Sequence, residues 1–237
     1  MSATSNDKTA LVTGGSRGIG RAAVEALAQE GYQVYFCSKN PASVESALEG
    51  FRERFGDRVV GEAVDVRDPD QVEAYVKKVH AAAGRLDVLV NNAGLGHFGA
   101  VDELSVEAWD ETIEVNLSGA FYFLRVAASI MRSQGDGYIF NIASLAGKNP
   151  FAGGAAYNAS KFGMVGMSDA AMLDLRHDGV KVSAILPGSV DTDFHSRDER
   201  SWMMQPEDVA RTILDLLDFP ARTLPSRVEM RPTKPPK

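Results

Sequence analysis

Tyr157-Asn158-Ala159-Ser160-Lys161 sets a phenol and an amine four residues apart. On a helix that spacing projects both side chains from one face. An ammonium beside a phenol favours the phenolate, lowering the phenol pKa toward working pH and making it a usable proton donor and acceptor. Ser144 lies 13 residues upstream, at the end of an apolar run that reads as a strand. In a parallel sheet that end is where ligands bind. Both features have plainer readings: Tyr-x-x-x-Lys pairs also decorate helix surfaces, and a serine after a strand caps a helix or makes a turn.

The second cluster able to do chemistry is Thr13-Gly14-Gly15-Ser16-Arg17-Gly18-Ile19-Gly20, between a short apolar run and a helix-period stretch. Glycines there let the backbone turn tightly and approach a pyrophosphate, which the helix N-terminus attracts through its free N–H groups and dipole. The spacing Gly14-x-x-x-Gly18-x-Gly20 is a relative of the dinucleotide fingerprint, and glycine-rich turns also serve simply to join strand to helix. About 20 residues further on, NAD-selective proteins place an acid on the ribose hydroxyls. Here the stretch reads Cys37-Ser38-Lys39-Asn40, without a carboxylate. Lys39 and Arg17 can pair with a 2′-phosphate and Ser38 can donate to it, so NADP(H) is the expected dinucleotide. The alternative is that both cations are solvated surface residues.

These groups need a scaffold that brings them together. Apolar runs at 9–13, 33–38, 59–66, 88–91, 138–143, 180–186 and 228–230 read as strands. Helical periodicity falls at 19–30, 41–55, 105–133, 157–177 and 205–217, and Asp68 followed by Pro69 starts another helix. The stretch 105–133 should be broken or bent near Asn116. Alternating strands and helices imply an α/β fold, a doubly wound parallel sheet of about seven strands with helices on both faces. The 237 residues suffice for one such domain, over 8–230, between a polar 1–7 segment and the Pro-rich 231–237. Lys plus Arg total 25 against 32 Asp plus Glu, a net charge of -7, which gives no general attraction to nucleic acid or an anionic membrane. A single cysteine, Cys37, excludes an intramolecular disulfide and Cys-rich zinc sites, so no metal is expected. The start, MSATSNDKTA, lacks a secretory pattern, and a cytoplasmic protein is the expectation.

Taken in order, Thr13–Gly20, Asp65-Val66, Asn91-Asn92-Ala93-Gly94, Asn116, Ser144, Tyr157-x-x-x-Lys161 and Pro187-Gly188 followed by Thr192 resemble the short-chain dehydrogenase/reductase family over about residues 8–192. The resemblance implies a single-domain Rossmann fold and reversible hydride transfer between NADP(H) and a carbonyl/alcohol pair, run as a reductase. It implies that Tyr157 exchanges a proton with the substrate oxygen, Ser144 hydrogen-bonds that oxygen, and Lys161 tunes Tyr157 and holds the nicotinamide ribose. Asn116 would anchor a relay water where the long helix is disturbed; otherwise it is an exposed helix asparagine. Gly14, Ser16, Arg17, Gly18, Ile19 and Gly20 would cradle the cofactor phosphates. Asp65 and Val66 would hold the adenine, and Asn91, Ala93 and Gly94 would line its ribose side. Pro187, Gly188, Val190 and Thr192 would border the nicotinamide.

The wording SRGIG, NNAG and YNASK is similar to the 3-oxoacyl-acyl-carrier-protein reductase branch. An acidic carrier protein needs basic residues at the pocket mouth, and Lys148, Arg197 and Arg200 are candidates. Residues 95–98, 145–151, 153–154 and 189–190 should border the substrate; being mostly small or apolar, they suit a neutral ketone or aldehyde with an apolar body. Segment 193–204 could form a short lid, or its Phe194, Trp202, Met203 and Met204 could pack on the core or on another subunit. By similarity a homo-oligomer, tetramer or dimer, is expected through the 105–133 and 157–177 helices and the last strand. A non-catalytic dinucleotide sensor or scaffold is the alternative, disfavoured by the presence of Ser144, Tyr157 and Lys161 together.

Overall fold

The structure, a computed structural model, describes residues 8–193 and 201–235. Seven parallel strands form one sheet in the order β3-β2-β1-β4-β5-β6-β7. They are β1 (Thr9–Thr13), β2 (Gln33–Ser38), β3 (Val59–Ala63), β4 (Val88–Asn91), β5 (Gly137–Ile142), β6 (Val180–Pro187) and β7 (Arg227–Met230). The central strands β1, β4 and β5 are buried at every position, as expected of continuous apolar runs covered on both faces. Edge strand β7 alternates exposed and half-buried residues.

The covering helices are α1 (Gly18–Gln29), α2 (Pro41–Phe55), α3 (Pro69–Ala83), α4 (Val106–Ile113), α5 (Gly119–Gln134), α6 (Ala155–Leu175) and α7 (Pro206–Leu217). Leu27, Phe51 and Ile213 of α1, α2 and α7 pack with Phe36 and Phe140 on one face of the sheet. Val76, Phe123 and Leu175 of α3, α5 and α6 pack with Leu11, Leu89 and Ile139 on the other. Sequence order reverses its winding between β1 and β4, which opens a crevice at the strands' C-terminal ends.

Most expected elements appear within a residue or two, with one correction. The expected 59–66 strand stops at Ala63 because a turn follows, closed by Asp68 N–H donating to the Asp65 carbonyl. The 105–133 helix is disturbed at Asn116, as expected, by a change of winding. Between α4 and α5 the chain makes one π-helical turn, Glu114–Ser118, without leaving the helix. The N-terminal segment 1–7 and the positions of Phe194, Arg197 and Arg200 lie outside the described residues. Of segment 193–204, Met204 packs against the core and pairs with Val190 in a parallel bridge. Among the described residues no helix is long and apolar enough to cross a membrane.

Candidate active site

Gly14 and Gly18 have φ of +67° and +55°, left-handed conformations open to glycine, and they curl the chain from β1 into α1. The Thr13 hydroxyl oxygen accepts from the N–H groups of Asn92 and Ala93, both at 2.9 Å. Asn92 Nδ2 donates back to the Thr13 carbonyl at 3.0 Å and the Gly14 carbonyl at 3.2 Å. The loop is thereby stitched to the end of β4. A side chain at Gly20 would collide with the Gly14 carbonyl oxygen, so this glycine lets α1 seat against the loop. Helices α2, α3 and α4 start on side-chain caps from Asn40, Asp68 and Ser105, whereas α1 has none. Its first-turn N–H groups face the crevice, a ready anion site.

A cavity of about 500 Å³ runs from this loop across the sheet edge. At one end stand Ser16, Arg17, Ser38 and Lys39. Ser38 Oγ accepts from Ser16 N–H at 3.3 Å and donates to Ser16 Oγ at 2.9 Å. Arg17 and Lys39 are well exposed; Arg17 lies 3.9 Å from Asp193 and Lys39 lies 3.7 Å from Asp65. Asp65 is also gripped by Arg67, whose Nη2 donates at 2.6 Å and whose Nε donates at 2.9 Å. That guanidinium holds the Asp65 carboxyl down at about 2. Arg67 further reaches Glu111 at 3.7 Å, and Glu111 holds His97 Nε2 at 2.9 Å.

At the other end stand Ser144, Tyr157 and Lys161. Ser144 follows β5 and acts as a cap. Its hydroxyl oxygen accepts from Ala146 N–H at 3.1 Å, capping a short 3-10 turn, and the hydroxyl also hydrogen-bonds Tyr157. Lys161 is 4% exposed, and its Nζ donates to the Ile142 carbonyl at 2.9 Å. Burial without a carboxylate partner drops the ammonium to about 8. The expected lowering of the phenol is reversed. Burial raises Tyr157 above its ordinary value, and the Ser144 hydrogen bond recovers only part of that rise. Lys161 is itself depressed by burial, with Nζ 5.7 Å from the Tyr157 ring centre.

Of the residues singled out in the sequence, Ile19, Val66, Ala93, Gly94, Pro187, Gly188, Val190 and Thr192 also line the cavity. Thr192 reaches over the glycine loop, close enough that a side chain at Gly18 would lie 3.3 Å from its Cγ2. Gly20, Asn91 and Asn116 sit behind the cavity wall. Asn91 is 1% exposed, with Nδ2 donating to Asn141 Oδ1 at 2.9 Å and the Ala120 carbonyl at 3.2 Å; its neighbour Asn92 takes the lining position. Asn116 is fully buried by the π-turn. Its Oδ1 accepts from Leu95 N–H at 2.8 Å, while Nδ2 donates to the Leu95 carbonyl at 2.8 Å and Ser160 Oγ at 3.0 Å. Asn116 therefore clamps the loop after β4 to α6.

Sequence reasoning missed Arg67, Glu111 and Asn92 as parts of the site. The doubled asparagine at a strand end was the available signal for Asn92; the other two need the fold to bring them near Asp65. Lys148, expected to serve an acidic partner, is paired with Glu229. Among the described residues no cluster of His, Cys, Asp and Glu could hold a metal ion.

Known proteins resemble this chain in sequence and fold. The family model described as short chain dehydrogenase matches residues 8–202. The 3-oxoacyl-acyl-carrier-protein reductase FabG of Staphylococcus aureus is 39% identical over 190 residues, 79% of this chain and 76% of its own. A metagenomic short-chain oxidoreductase solved in complex with NADP is 37% identical, with a TM-score of 0.85 over 96% of this chain and 98% of its own. An alcohol dehydrogenase from the archaeon Thermococcus sibiricus, complexed with 5-hydroxy-NADP, is 29% identical, with a TM-score of 0.88 over 97% of this chain and 99% of its own. A glycine loop stitched to β4, a serine at the end of β5 and a tyrosine–lysine pair on α6, in a chain matched over 8–202, make this protein a member of the short-chain dehydrogenase family of oxidoreductases.

Proposed function

We propose that the chain is an NADP(H)-dependent reductase that converts a carbonyl to a secondary alcohol, with Tyr157 as proton donor. The observation that carries this reading is the half-buried Ser144–Tyr157 hydrogen bond beside Lys161, opening on a cavity that reaches the uncapped start of α1. The residues fit a dinucleotide phosphate. Gly14 and Gly18 keep the loop backbone bare, α1 offers free N–H groups, and Ser38, Lys39 and Arg17 offer two cations and a hydroxyl with no acid on β2. Lys39 lies within reach of Asp65 and can turn from that pair to a 2′-phosphate.

When bound, the nicotinamide supplies a hydride to the carbonyl carbon. The protein's part is to hold the carbonyl oxygen between Ser144 and Tyr157 and to give it the phenolic proton, so that one C–H and one O–H bond form as the carbonyl π bond is lost. A raised phenol suits this direction, because Tyr157 is protonated at neutral pH and an alkoxide is a far stronger base. Lys161 lies close enough to stabilise the phenolate left behind. A panel of carbonyl compounds that includes 3-oxoacyl thioesters, followed by NADPH consumption, tests the reading; no turnover across it would overturn it. Val106, Trp109, Phe121 and Phe162, exposed on α4, α5 and α6, support assembly into a dimer or tetramer. A monomer by light scattering would exclude that.

A further inference from the structure

We propose that Phe98 and Phe151 form an aromatic wall beside Tyr157 that favours substrates carrying a flat aryl group next to the carbonyl. The inference rests on the reductase reading and gives that site its substrate class. The rings come from different loops, Phe98 after β4 and Phe151 after β5. Phe98 stands edge-on to Tyr157 at 62°, with ring centres 5.8 Å apart. Phe151 completes the triangle, 5.9 Å from Phe98 and 6.4 Å from Tyr157.

The two loops are fastened together. Gly99 and Gly154 form an isolated parallel bridge, and Gly99 N–H donates to the Gly153 carbonyl at 2.9 Å. Asn158, the residue after Tyr157, donates Nδ2 to the Phe151 carbonyl at 3.0 Å. Gly154 leaves the space the Phe151 ring occupies, since a side chain there would meet the ring at 2.6 Å. Although held this way, Phe98 remains 52% exposed and Phe151 46% exposed. Fixed, half-bare rings next to a reacting group have a natural occupant. A substrate oxygen within hydrogen-bond reach of the Tyr157 hydroxyl carries its substituents only one bond further away. An aryl substituent gains edge or offset stacking with two rings, whereas a saturated ring of the same outline gains burial alone.

The test compares acetophenone with cyclohexyl methyl ketone, alike in outline, using the full chain and NADPH. The ratio of their kcat/KM values should fall about threefold in Phe98→Leu and in Phe151→Leu and about tenfold in the double variant. A ratio unchanged in the double variant overturns the wall, as does an unchanged ratio with an altered oligomeric mass, which would make the face a subunit contact. If the native protein turns over neither ketone nor any other carbonyl, the reductase reading has failed instead. Saturation-transfer NMR of the same ketone pair on native and doubly substituted protein then decides the wall. A stronger signal for the aryl ketone on the native protein that disappears in the double variant upholds it, and equal signals for the two ketones on the native protein overturn it.

Discussion

Lys39 and Lys161 face one cavity from opposite ends and experience opposite surroundings. Lys39 stands in water, 3.7 Å from Asp65, at the head of a chain of half-buried ion pairs that runs through Arg67 and Glu111 to His97. Lys161 is enclosed, its Nζ donating to the Ile142 carbonyl, and its ammonium is lowered to about 8 by lost hydration. The same side chain is thus held in two different ways. At the open end a screened, movable charge is free to change partners. At the closed end the ammonium loses hydration and holds its proton less firmly than a free lysine.

The sharpest way to break this comparison is to remove the acid at the closed end. Tyr157→Phe should lower kcat by about 10²–10⁴-fold. Cofactor affinity, followed by NADPH fluorescence, should stay within about twofold, because Ser16, Arg17, Ser38 and Lys39 are untouched. Preserved turnover would remove the assigned proton donor.

Next in size is the pH dependence of the ligand-free protein. Between pH 8 and 10.5 the unfolded chain keeps a proton on Lys161 that the folded chain has released, so the Lys161 contribution to stability rises with pH by about 3 kcal/mol. The raised Cys37 thiol and the raised Tyr32, Tyr75, Tyr138 and Tyr157 phenols oppose it above pH 9, because the unfolded chain ionises them first. Lys161→Met should therefore lose stability from pH 7.5 to pH 10 relative to the native protein, as read from urea unfolding at the two pH values. A variant whose stability follows pH as the native protein's does would show that Lys161 is hydrated in solution.

At the open end, Lys39→Asp combined with Arg17→Ala should shift the NADP/NAD ratio of kcat/KM about 10–100-fold toward NAD. An unchanged ratio would mean that neither cation reads the 2′-phosphate. The smallest effect contrasts capped and uncapped helices. Asp68 accepts from Asp70 N–H at 3.0 Å and Gln71 N–H at 3.1 Å at the head of α3, so Asp68→Ala should cost about 1 kcal/mol of stability by urea unfolding. Cofactor affinity should not follow it, since α1 supplies the anion site.

The open end was more legible in the sequence than the closed one. Glycines at a strand–helix junction, a missing acid after β2 and the Asp68-Pro69 helix start are local signals, and β2 and α2 fall at their expected bounds. The closed end depends on long-range packing. Spacing alone suggested that Lys161 would lower the Tyr157 phenol, but burial, which no local pattern reveals, raises it. The sequence pointed to Asn116 as the place where the long helix is disturbed, yet the clamp it makes on Leu95 depends on a loop 21 positions away. Arg67 could be read beside Asp65 in the chain, but its bidentate grip could not.

The π-turn at Glu114–Ser118 has a consequence for how this segment can change. A π-turn holds one more residue than the α-turn it replaces, so losing one position there would restore regular winding and leave α4 and α5 in register. What such a deletion would remove is the local bulge that aims Asn116 at Leu95 and Ser160. The helix would run on unbroken while the loop after β4 came loose from α6.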